Sequence, residues 1–351
     1  MTFVHRFSIL LFLVVLALPS VCAANQTTIF IYHRFDENRY PSTNISSDNF
    51  TAHLQYLKDS GRPVTTLSQI INRLTSGQKI VERPVVLTVD DAFDSFLEVA
   101  MPLLRRYGYP VTLFVNTDGV GGPGYLDWNK LRRLVREGVT IGNHTATHDY
   151  LLERKEGEDA AGWAKRVKND ILRAQDAFEQ ELGLRPDLFA YPYGEFSPEL
   201  AAIVRELGFR AAVAQQSGVV HAGSDLYALP RFPMGGPYAS LESFQSKAEM
   251  HPFVVNVLEP ETPVLTDATP PRLKFEVDPQ VYELDRLQGF VQGQNSLVFD
   301  NSGLAQGVIS VVAEKTLSGR RNKYTLTVPL RDGAGWAWFS QPWFRPSGSS
   351  D

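Results

Sequence analysis

Cysteine is almost absent from this chain of 351 residues. Its single cysteine, Cys22, lies in an N-terminal segment that we expect to be cleaved from the mature protein. Without it the mature chain can form no disulfide bond, which excludes a cysteine nucleophile and a zinc site with thiolate ligands. Any covalent or metal chemistry must therefore use other side chains.

Dense clusters of basic residues are absent as well. The chain has 34 Lys and Arg against 39 Asp and Glu, which gives a formal net charge of −5 at pH 7. No stretch carries enough Lys and Arg to follow a phosphate backbone, so nucleic acid is not expected as a partner. Hydrophobic residues make up 43% of the sequence, which indicates a folded protein with a substantial core.

A long hydrophobic run is missing, but a short one lies near the N-terminus. His5 and Arg6 precede an apolar run over residues 9–18, and small residues follow as far as Ala24. This order is typical of a secretory signal peptide, and the run is short for a membrane span. We predict that residues 1–24 are a signal peptide, that the protein is exported to the periplasm or the extracellular space, and that no integral membrane segment remains after cleavage. An uncleaved N-terminal anchor is the alternative.

Residues 25–250 show the pattern of an α/β domain. Six apolar, β-rich runs alternate with stretches of helical spacing, and these runs are residues 27–32, 85–89, 111–115, 139–141, 188–191 and 211–214. Strands that alternate with helices and are apolar on both faces predict a parallel sheet covered by helices. Six or seven such units favour a distorted (β/α) barrel, closed or incomplete, over an open doubly wound sheet.

The pattern changes near residue 250. Residues 251–346 carry short β-like runs separated by turn-rich pieces, and no helical period of useful length is present. This spacing predicts a small antiparallel β-sandwich as a second domain. Residues 347–351 are predicted to be a disordered tail.

Titratable side chains follow several of the predicted barrel strands. Asp90 and Asp91 end the run at 85–89, His144 and His148 follow the run at 139–141, and His33 follows the first run. Because the carboxyl ends of parallel strands form one rim, these side chains are expected to converge there. Each motif taken alone is more often structural, since a pair of histidines is usually a surface or core feature and a pair of aspartates often caps a helix. Their occurrence at successive strand ends favours a shared site.

The chemistry of these residues favours a metal site. Two histidines four residues apart share one face of a helical turn, so that His144 and His148 can approach one ion, and Asp91 completes a set of two histidines and one carboxylate. Such a metal activates a water molecule and polarises a carbonyl. The neighbouring Asp90 points away along the strand, which places it as a general base, and His33 is a candidate general acid.

The motifs resemble those of polysaccharide deacetylases of the NodB-homology class, carbohydrate esterase family 4. Thr88-Val89-Asp90-Asp91 is similar to the first motif of that family, His144-Thr145-Ala146-Thr147-His148 to the second, and Tyr191-Pro192-Tyr193-Gly194 to the end of the third. The resemblance implies a distorted (β/α) barrel and a divalent metal, usually zinc, bound by Asp91, His144 and His148. It also implies Asp90 as general base and the backbone N–H of Tyr193 as a donor to the oxyanion.

The chain departs from the family pattern at four points. Ala92 stands where glycine commonly follows the aspartate pair, and Ala190 replaces the arginine that steadies the base. Arg231 is our hypothesis for the missing charge. The late Leu-x-His motif that supplies the general acid has no match, whereas Tyr32-His33 resembles the N-terminal Tyr-His strand of a subgroup that deacetylates biofilm poly-N-acetylglucosamine. We assign the role of general acid to His33 on that resemblance.

The predicted function is therefore metal-dependent removal of N-acetyl groups from an acetylated amino-sugar polysaccharide. O-deacetylation is one alternative, because the same site can attack an acetyl ester. A non-catalytic glycan-binding protein is a second alternative, from a different class.

Overall fold

The computed structural model describes residues 25–267, 269–294 and 296–347. The predicted signal peptide and residues 348–351 of the predicted tail lie outside the described residues. Within the described ranges, no helix is both long enough and apolar enough to cross a membrane.

The first domain is built on a curled, mostly parallel sheet. Its main path has the order β10-β1-β5-β6-β7-β8-β9, while β11 pairs with β1 and β4 pairs with β5. All residues of β1 and β5 are buried, as expected for strands covered on both faces. The strands, with the small β2–β3 pair, are β1 Gln26–Tyr32, β2 Arg34–Phe35, β3 Asn44–Ile45, β4 Val64–Thr65, β5 Val85–Asp90, β6 Thr112–Val115, β7 Thr140–Asn143, β8 Leu188–Ala190, β9 Ala211–Val213, β10 Val220–His221 and β11 Phe232–Pro233.

Helices connect and cover these strands. Several begin at a Ser, Thr or Asp side chain that accepts a hydrogen bond from a backbone N–H in the first turn, as Ser46, Asp127 and Asp159 do. A π-helical turn at Phe96–Ala100 precedes the third helix. The helices are α1 Ser47–Asp59, α2 Leu67–Ser76, α3 Met101–Tyr107, α4 Trp128–Arg136, α5 Ala160–Leu182, α6 Pro198–Glu206 and α7 Leu241–Glu249. The predicted distorted (β/α) barrel is confirmed.

The second domain is a pair of four-stranded sheets. One has the order β12-β19-β18-β15 and the other β13-β14-β17-β16, and all pairings but β12 with β19 are antiparallel. Buried and less buried residues alternate along β17, as a sandwich strand requires. The strands are β12 His251–Pro252, β13 Asn256–Glu259, β14 Arg272–Glu276, β15 Gln288–Val291, β16 Leu297–Asp300, β17 Val308–Ala313, β18 Arg321–Pro329 and β19 Trp336–Phe344. The predicted antiparallel sandwich is confirmed.

The sandwich packs directly against the barrel. The ring of Trp338 lies edge-on to Phe232, with centroids 5.3 Å apart, and that of Phe344 lies against Phe196 at 5.8 Å. The ammonium of Lys323 donates to Ser217 Oγ at 3.0 Å. Apolar and polar contacts therefore hold the two domains together near the rim of the barrel.

Candidate active site

The sequence-predicted residues meet at the carboxyl ends of neighbouring barrel strands. Asp90 is the last residue of β5, His33 follows β1, His144 follows β7, and Tyr193 lies in the turn after β8. The strands β1, β5, β6, β7 and β8 are mutually parallel in that spatial order, which places their ends on one rim. Arg231 lies in the extended segment just before β11.

Asp91, His144 and His148 form a compact cluster. Asp91 Oδ1 lies 3.3 Å from His148 Nε2 and 3.5 Å from His144 Nε2. The two Nε2 atoms are 3.2 Å apart. One potential ligand atom from each residue therefore faces the same point in space.

Burial and neighbouring charges shift the pKa values of the three residues in this cluster. His144 Nδ1 donates to the Ala190 carbonyl at 2.7 Å, because a carbonyl can only accept, and its Nε2 faces the cluster. Burial lowers the pKa of His144, but Asp91 and Asp90 outweigh it and raise the pKa above its ordinary value. Burial lowers the pKa of His148 to about 4, and the charge of His144 adds to the shift, so His148 is neutral at pH 7. Burial opposes ionisation of Asp91, but the charges of the surrounding histidines outweigh it and lower the pKa. Asp91 Oδ1 is buried without a hydrogen-bond partner.

The segment from His144 to His148 is a loop, and the predicted helical turn is wrong. Thr145 N–H donates to the Asn143 side chain at 2.7 Å, and His148 N–H donates to Thr145 Oγ1 at 2.9 Å. Thr145 and His148 have φ values of 66° and 59°. These side-chain bonds fold the loop tightly, so the two imidazoles meet although their spacing is not helical.

A reversal of the backbone separates the two neighbouring aspartates. Asp90 ends the strand, whereas Asp91 and Ala92 adopt φ values of 76° and 57°. The left-handed conformation is comfortable for glycine and costs other residues roughly 1–2 kcal/mol, which explains why Ala92 is a departure from the family motif. Asp91 therefore faces both histidines, while Asp90 is fully buried and its Oδ2 lies 3.9 Å from His144 Nε2.

Asp90 forms a bidentate ion pair with Arg231. Arg231 Nη1 donates to Asp90 Oδ1 at 2.8 Å and Nη2 donates to Oδ2 at 2.7 Å, and both side chains are fully buried. Arg231 Nε donates to the Ala214 carbonyl at 2.8 Å, and Nη1 also contacts Thr88 Oγ1 at 3.1 Å. Burial alone would raise the pKa of Asp90, but the charge of Arg231 outweighs it and lowers the pKa. The structure thus brings Arg231 to the carboxylate where our hypothesis requires it.

His33, the residue that follows β1, is half-buried. Burial lowers its pKa from the ordinary value, while the charges of Asp91 and Asp90 act in the opposite direction. Because these carboxylates influence its titration, the imidazole shares the electrostatic environment of the cluster.

Tyr193 lies in a strained turn. Its φ and ψ are 60° and 5°, and the next residue, Gly194, has a φ of 72°. A Cβ atom at Gly194 would lie 2.4 Å from Gln215 Cβ, so glycine is required there by both conformation and space. The Tyr193 ring stacks on Tyr150 at 4.0 Å and meets the ring of His148 edge-on at 4.6 Å. The turn therefore borders the cluster.

The structure adds three residues that the sequence analysis missed. Tyr150 underlies Tyr193, and Arg320 and Arg321 of the sandwich contact the same turn. No sequence motif identifies the two arginines, because they lie more than a hundred residues from the turn that they contact.

Comparisons with known proteins concern mainly the barrel. Residues 77–212 match the family model for polysaccharide deacetylase. YxkH of Bacillus subtilis, which is assigned to the polysaccharide deacetylases, is 23% identical over 205 residues, or 58% of this chain and 69% of that protein. The poly-beta-1,6-N-acetyl-D-glucosamine N-deacetylase of Escherichia coli is 23% identical over 211 residues, or 50% of this chain and 31% of that protein.

Solved structures share the fold. The deacetylase PplD of Streptococcus pyogenes superimposes with a TM-score of 0.57 at 21% identity, over 64% of this chain and 99% of that chain. IcaB of Ammonifex degensii gives a TM-score of 0.55 at 24% identity, over 63% of this chain and 97% of that chain. The resemblance in the motifs is confirmed by the family match. Residues 77–212 are thus similar to the polysaccharide deacetylases, and the barrel has the fold of the solved structures named above.

Proposed function

We propose that this chain is a metal-dependent N-deacetylase of an acetylated amino-sugar polysaccharide. The observation that carries the proposal is the cluster of Asp91, His144 and His148, whose ligand atoms are separated by 3.2 to 3.5 Å. Beside it lies a buried carboxylate, Asp90, held by an arginine.

The cluster fits a tetrahedral divalent cation. Ligand bonds of about 2.0–2.1 Å at tetrahedral angles place neighbouring ligand atoms roughly 3.3–3.4 Å apart, close to the observed separations. Two imidazoles and one carboxylate suit zinc, and three protein ligands leave a position for water or substrate. The unpartnered Oδ1 of Asp91 has the free lone pairs that a cation would use. A divalent cation held there would lower the pKa of a water molecule and polarise the acetamide carbonyl.

The protein residues then handle the protons and the developing charge. Asp90, which Arg231 keeps ionised, accepts a proton from the attacking water. The backbone N–H of Tyr193 donates to the oxyanion of the tetrahedral intermediate. His33 donates a proton to the leaving nitrogen as the C–N bond breaks, which releases acetate and a free amine.

The substrate class rests on the curated relatives. Two of them, from Escherichia coli and Staphylococcus aureus, are named poly-beta-1,6-N-acetyl-D-glucosamine N-deacetylases. An exported polymer as substrate agrees with the predicted signal peptide, so we place the protein in the periplasm or outside the cell. An O-acetylated polysaccharide is the alternative substrate.

An acetate-release assay on N-acetylated and O-acetylated glycans tests this proposal. The zinc-loaded protein is expected to release acetate from N-acetylglucosamine oligomers faster than from acetylated xylan. Two variants separate the general acid from the metal ligand. His33→Ala should reduce turnover by about 100-fold while the metal stays bound, whereas His148→Ala should abolish both turnover and metal binding. Faster release from xylan would favour the esterase, and no release from any glycan by metal-loaded protein would reject catalysis.

A further inference from the structure

The segment between β17 and β18 of the sandwich reaches the barrel beside the candidate active site. Arg320 donates from Nε to Glu195 Oε1 at 2.7 Å and from Nη2 to Glu195 Oε2 at 2.6 Å. Its third nitrogen, Nη1, contacts the carboxylate of Glu153. The Glu195 side chain has no exposed surface, and that of Arg320 is 18% exposed. A largely buried, bidentate ion pair therefore joins the two domains.

This ion pair lies next to the turn that carries Tyr193. Glu195 is two residues after Tyr193, and its N–H donates to the Pro192 carbonyl at 3.2 Å. The neighbouring Arg321 donates from Nη1 to the Tyr193 carbonyl at 3.3 Å. The sandwich thus contacts the turn at the backbone of Tyr193 and at the side chain of Glu195.

The sandwich also supports the aromatic face of the turn. The Arg320 guanidinium lies 4.0 Å from the centre of the Tyr150 ring, and that ring stacks on Tyr193 at 4.0 Å. The Arg321 guanidinium lies 5.3 Å from the Tyr193 ring centre. Cations at these distances are attracted to aromatic faces. Tyr193 is therefore held through its ring as well as its carbonyl.

Such support is needed because the turn is costly to maintain. Tyr193 has a left-handed backbone, and strained residues keep their conformation when the surroundings over-determine it. A buried carboxylate is stable where a cation pairs with it. The cations that contact Glu195 within the described ranges, Arg320 and Arg321, both come from the sandwich.

We propose that Arg320 is a positioning residue that holds the backbone N–H of Tyr193 in place for the reaction. The sandwich is then part of the catalytic machinery rather than an appendage. This inference rests on the proposed function, in which Tyr193 N–H stabilises the oxyanion. It assigns a task in that reaction to residues outside the segment that matches the family model.

Three variants of the full chain test the positioning role by steady-state kinetics. Arg320→Met should lower kcat by about 10- to 100-fold, because a small misplacement of a catalytic group costs that much, while KM and metal content stay within about twofold. Arg320→Lys keeps the positive charge but cannot form the bidentate hydrogen bonds of the guanidinium, so it should recover part of kcat. Arg286→Met is the matched control, since Arg286 forms an exposed pair with Glu283 in the same domain and should leave kcat unchanged.

The double variant Arg320→Met with Glu195→Gln distinguishes a loss of positioning from a folding defect. It removes both charges, so no buried carboxylate is left unpaired. If Arg320 positions the turn, the folded double variant should keep the low kcat. A return of kcat to the wild-type value would show that the ion pair serves folding alone, and would overturn the proposal.

Amide hydrogen exchange of the peptide that spans residues 191–197 gives a readout independent of turnover. Exchange in this peptide should be at least several-fold faster in Arg320→Met than in wild type, and unchanged in Arg286→Met. Unchanged exchange together with unchanged kcat would overturn the positioning role. If wild type releases no acetate while exchange still responds to Arg320, the proposed function fails and the structural support of the turn stands.

Discussion

At the scale of single residues, two adjacent carboxylates are given different tasks by one backbone reversal. Asp90 is fully buried and paired with Arg231, while Asp91, in a left-handed conformation, faces two imidazoles. Neighbouring groups in one strand would point to opposite faces of the sheet, and here the strand ends between them. A base paired with an arginine and a metal ligand that faces two imidazoles can thus be adjacent in the chain.

The exchange of each aspartate for asparagine separates these tasks. Asp90→Asn should abolish turnover and retain about one equivalent of zinc, because the ligand cluster is untouched. Asp91→Asn should lose both turnover and bound zinc, since a neutral amide is a weaker ligand than a carboxylate. Zinc content measured by plasma emission on dialysed protein, alongside acetate release, distinguishes the two. Equal zinc loss in both variants would contradict the separation.

Removal of Arg231 should change the pH profile of activity. The charge of Arg231 keeps the pKa of Asp90 low, so Arg231→Met raises that pKa and moves the acid limb of kcat/KM to higher pH. The lone buried carboxylate should also cost about 3–5 kcal/mol of stability. The same mutation at Arg286 is the control for both measurements. An acid limb that stays in place would reject Arg231 as the partner of the base.

At the scale of elements, the strand ends were predictable and the loops were not. The apolar runs predict parallel strands, and parallel strands bring Asp90, Asp91 and His144 to one rim. The helical turn predicted for His144 to His148 is wrong, because Asn143 and Thr145 satisfy the backbone with side-chain hydrogen bonds. Such local competition between side chain and backbone is not visible in hydrophobic periodicity.

Contacts between elements that are distant in the chain could not be predicted from the sequence either. Arg231 could be suggested because the resemblance named a missing charge, and the structure supplies the contact. Arg320 could not be suggested, because no motif points to it and Glu195 lies 125 positions away in the chain. The arrangement depends on how the sandwich docks on the barrel, which packing alone decides.

The stability of Arg320→Met should fall as pH rises. Burial raises the pKa of Glu195, and Arg320→Met removes the guanidinium that donates two hydrogen bonds to the charged carboxylate. The folded variant therefore favours the neutral acid. Above the ordinary pKa of 4.5 the unfolded chain releases this proton, and the folded variant holds it to a higher pH because its pKa is raised. Stability should therefore decline by up to about 1.4 kcal/mol per pH unit across that window and level off above it.

Urea unfolding of Arg320→Met at several pH values measures this decline. The double variant with Glu195→Gln lacks the carboxyl and should show no such extra slope relative to wild type. Arg321 and Glu153, the other charged groups beside the pair, are present in both variants and cancel in the comparison. Equal slopes in the single and double variants would contradict a buried acid at this position.

At the scale of the whole molecule, the barrel and the sandwich form one packed unit. Phe344, the last residue of β19, is 4% exposed and packs against Phe196 of the barrel, and Trp338 packs against Phe232. Shared apolar contacts of this kind couple the unfolding of two domains. We expect the loss of activity and the loss of tryptophan fluorescence signal to coincide in urea.

Phe344→Ala tests that coupling. The truncation should cost about 3–5 kcal/mol, because a buried phenylalanine at the interface leaves a cavity, and it should lower the midpoint for both signals. Phe290→Ala is the matched control, since Phe290 is half exposed in the same domain and should shift the midpoints little. Separate transitions in wild type, with activity lost at a midpoint that Phe344→Ala leaves unchanged, would show that the domains are independent.

A zinc titration of chelator-treated protein tests the central claim most directly. Acetate release from N-acetylglucosamine oligomers should be absent without metal, rise in proportion to added zinc, and reach a plateau at one equivalent per chain. Full acetate release by the metal-free protein, or none at any zinc concentration, would contradict a deacetylase built on Asp91, His144 and His148.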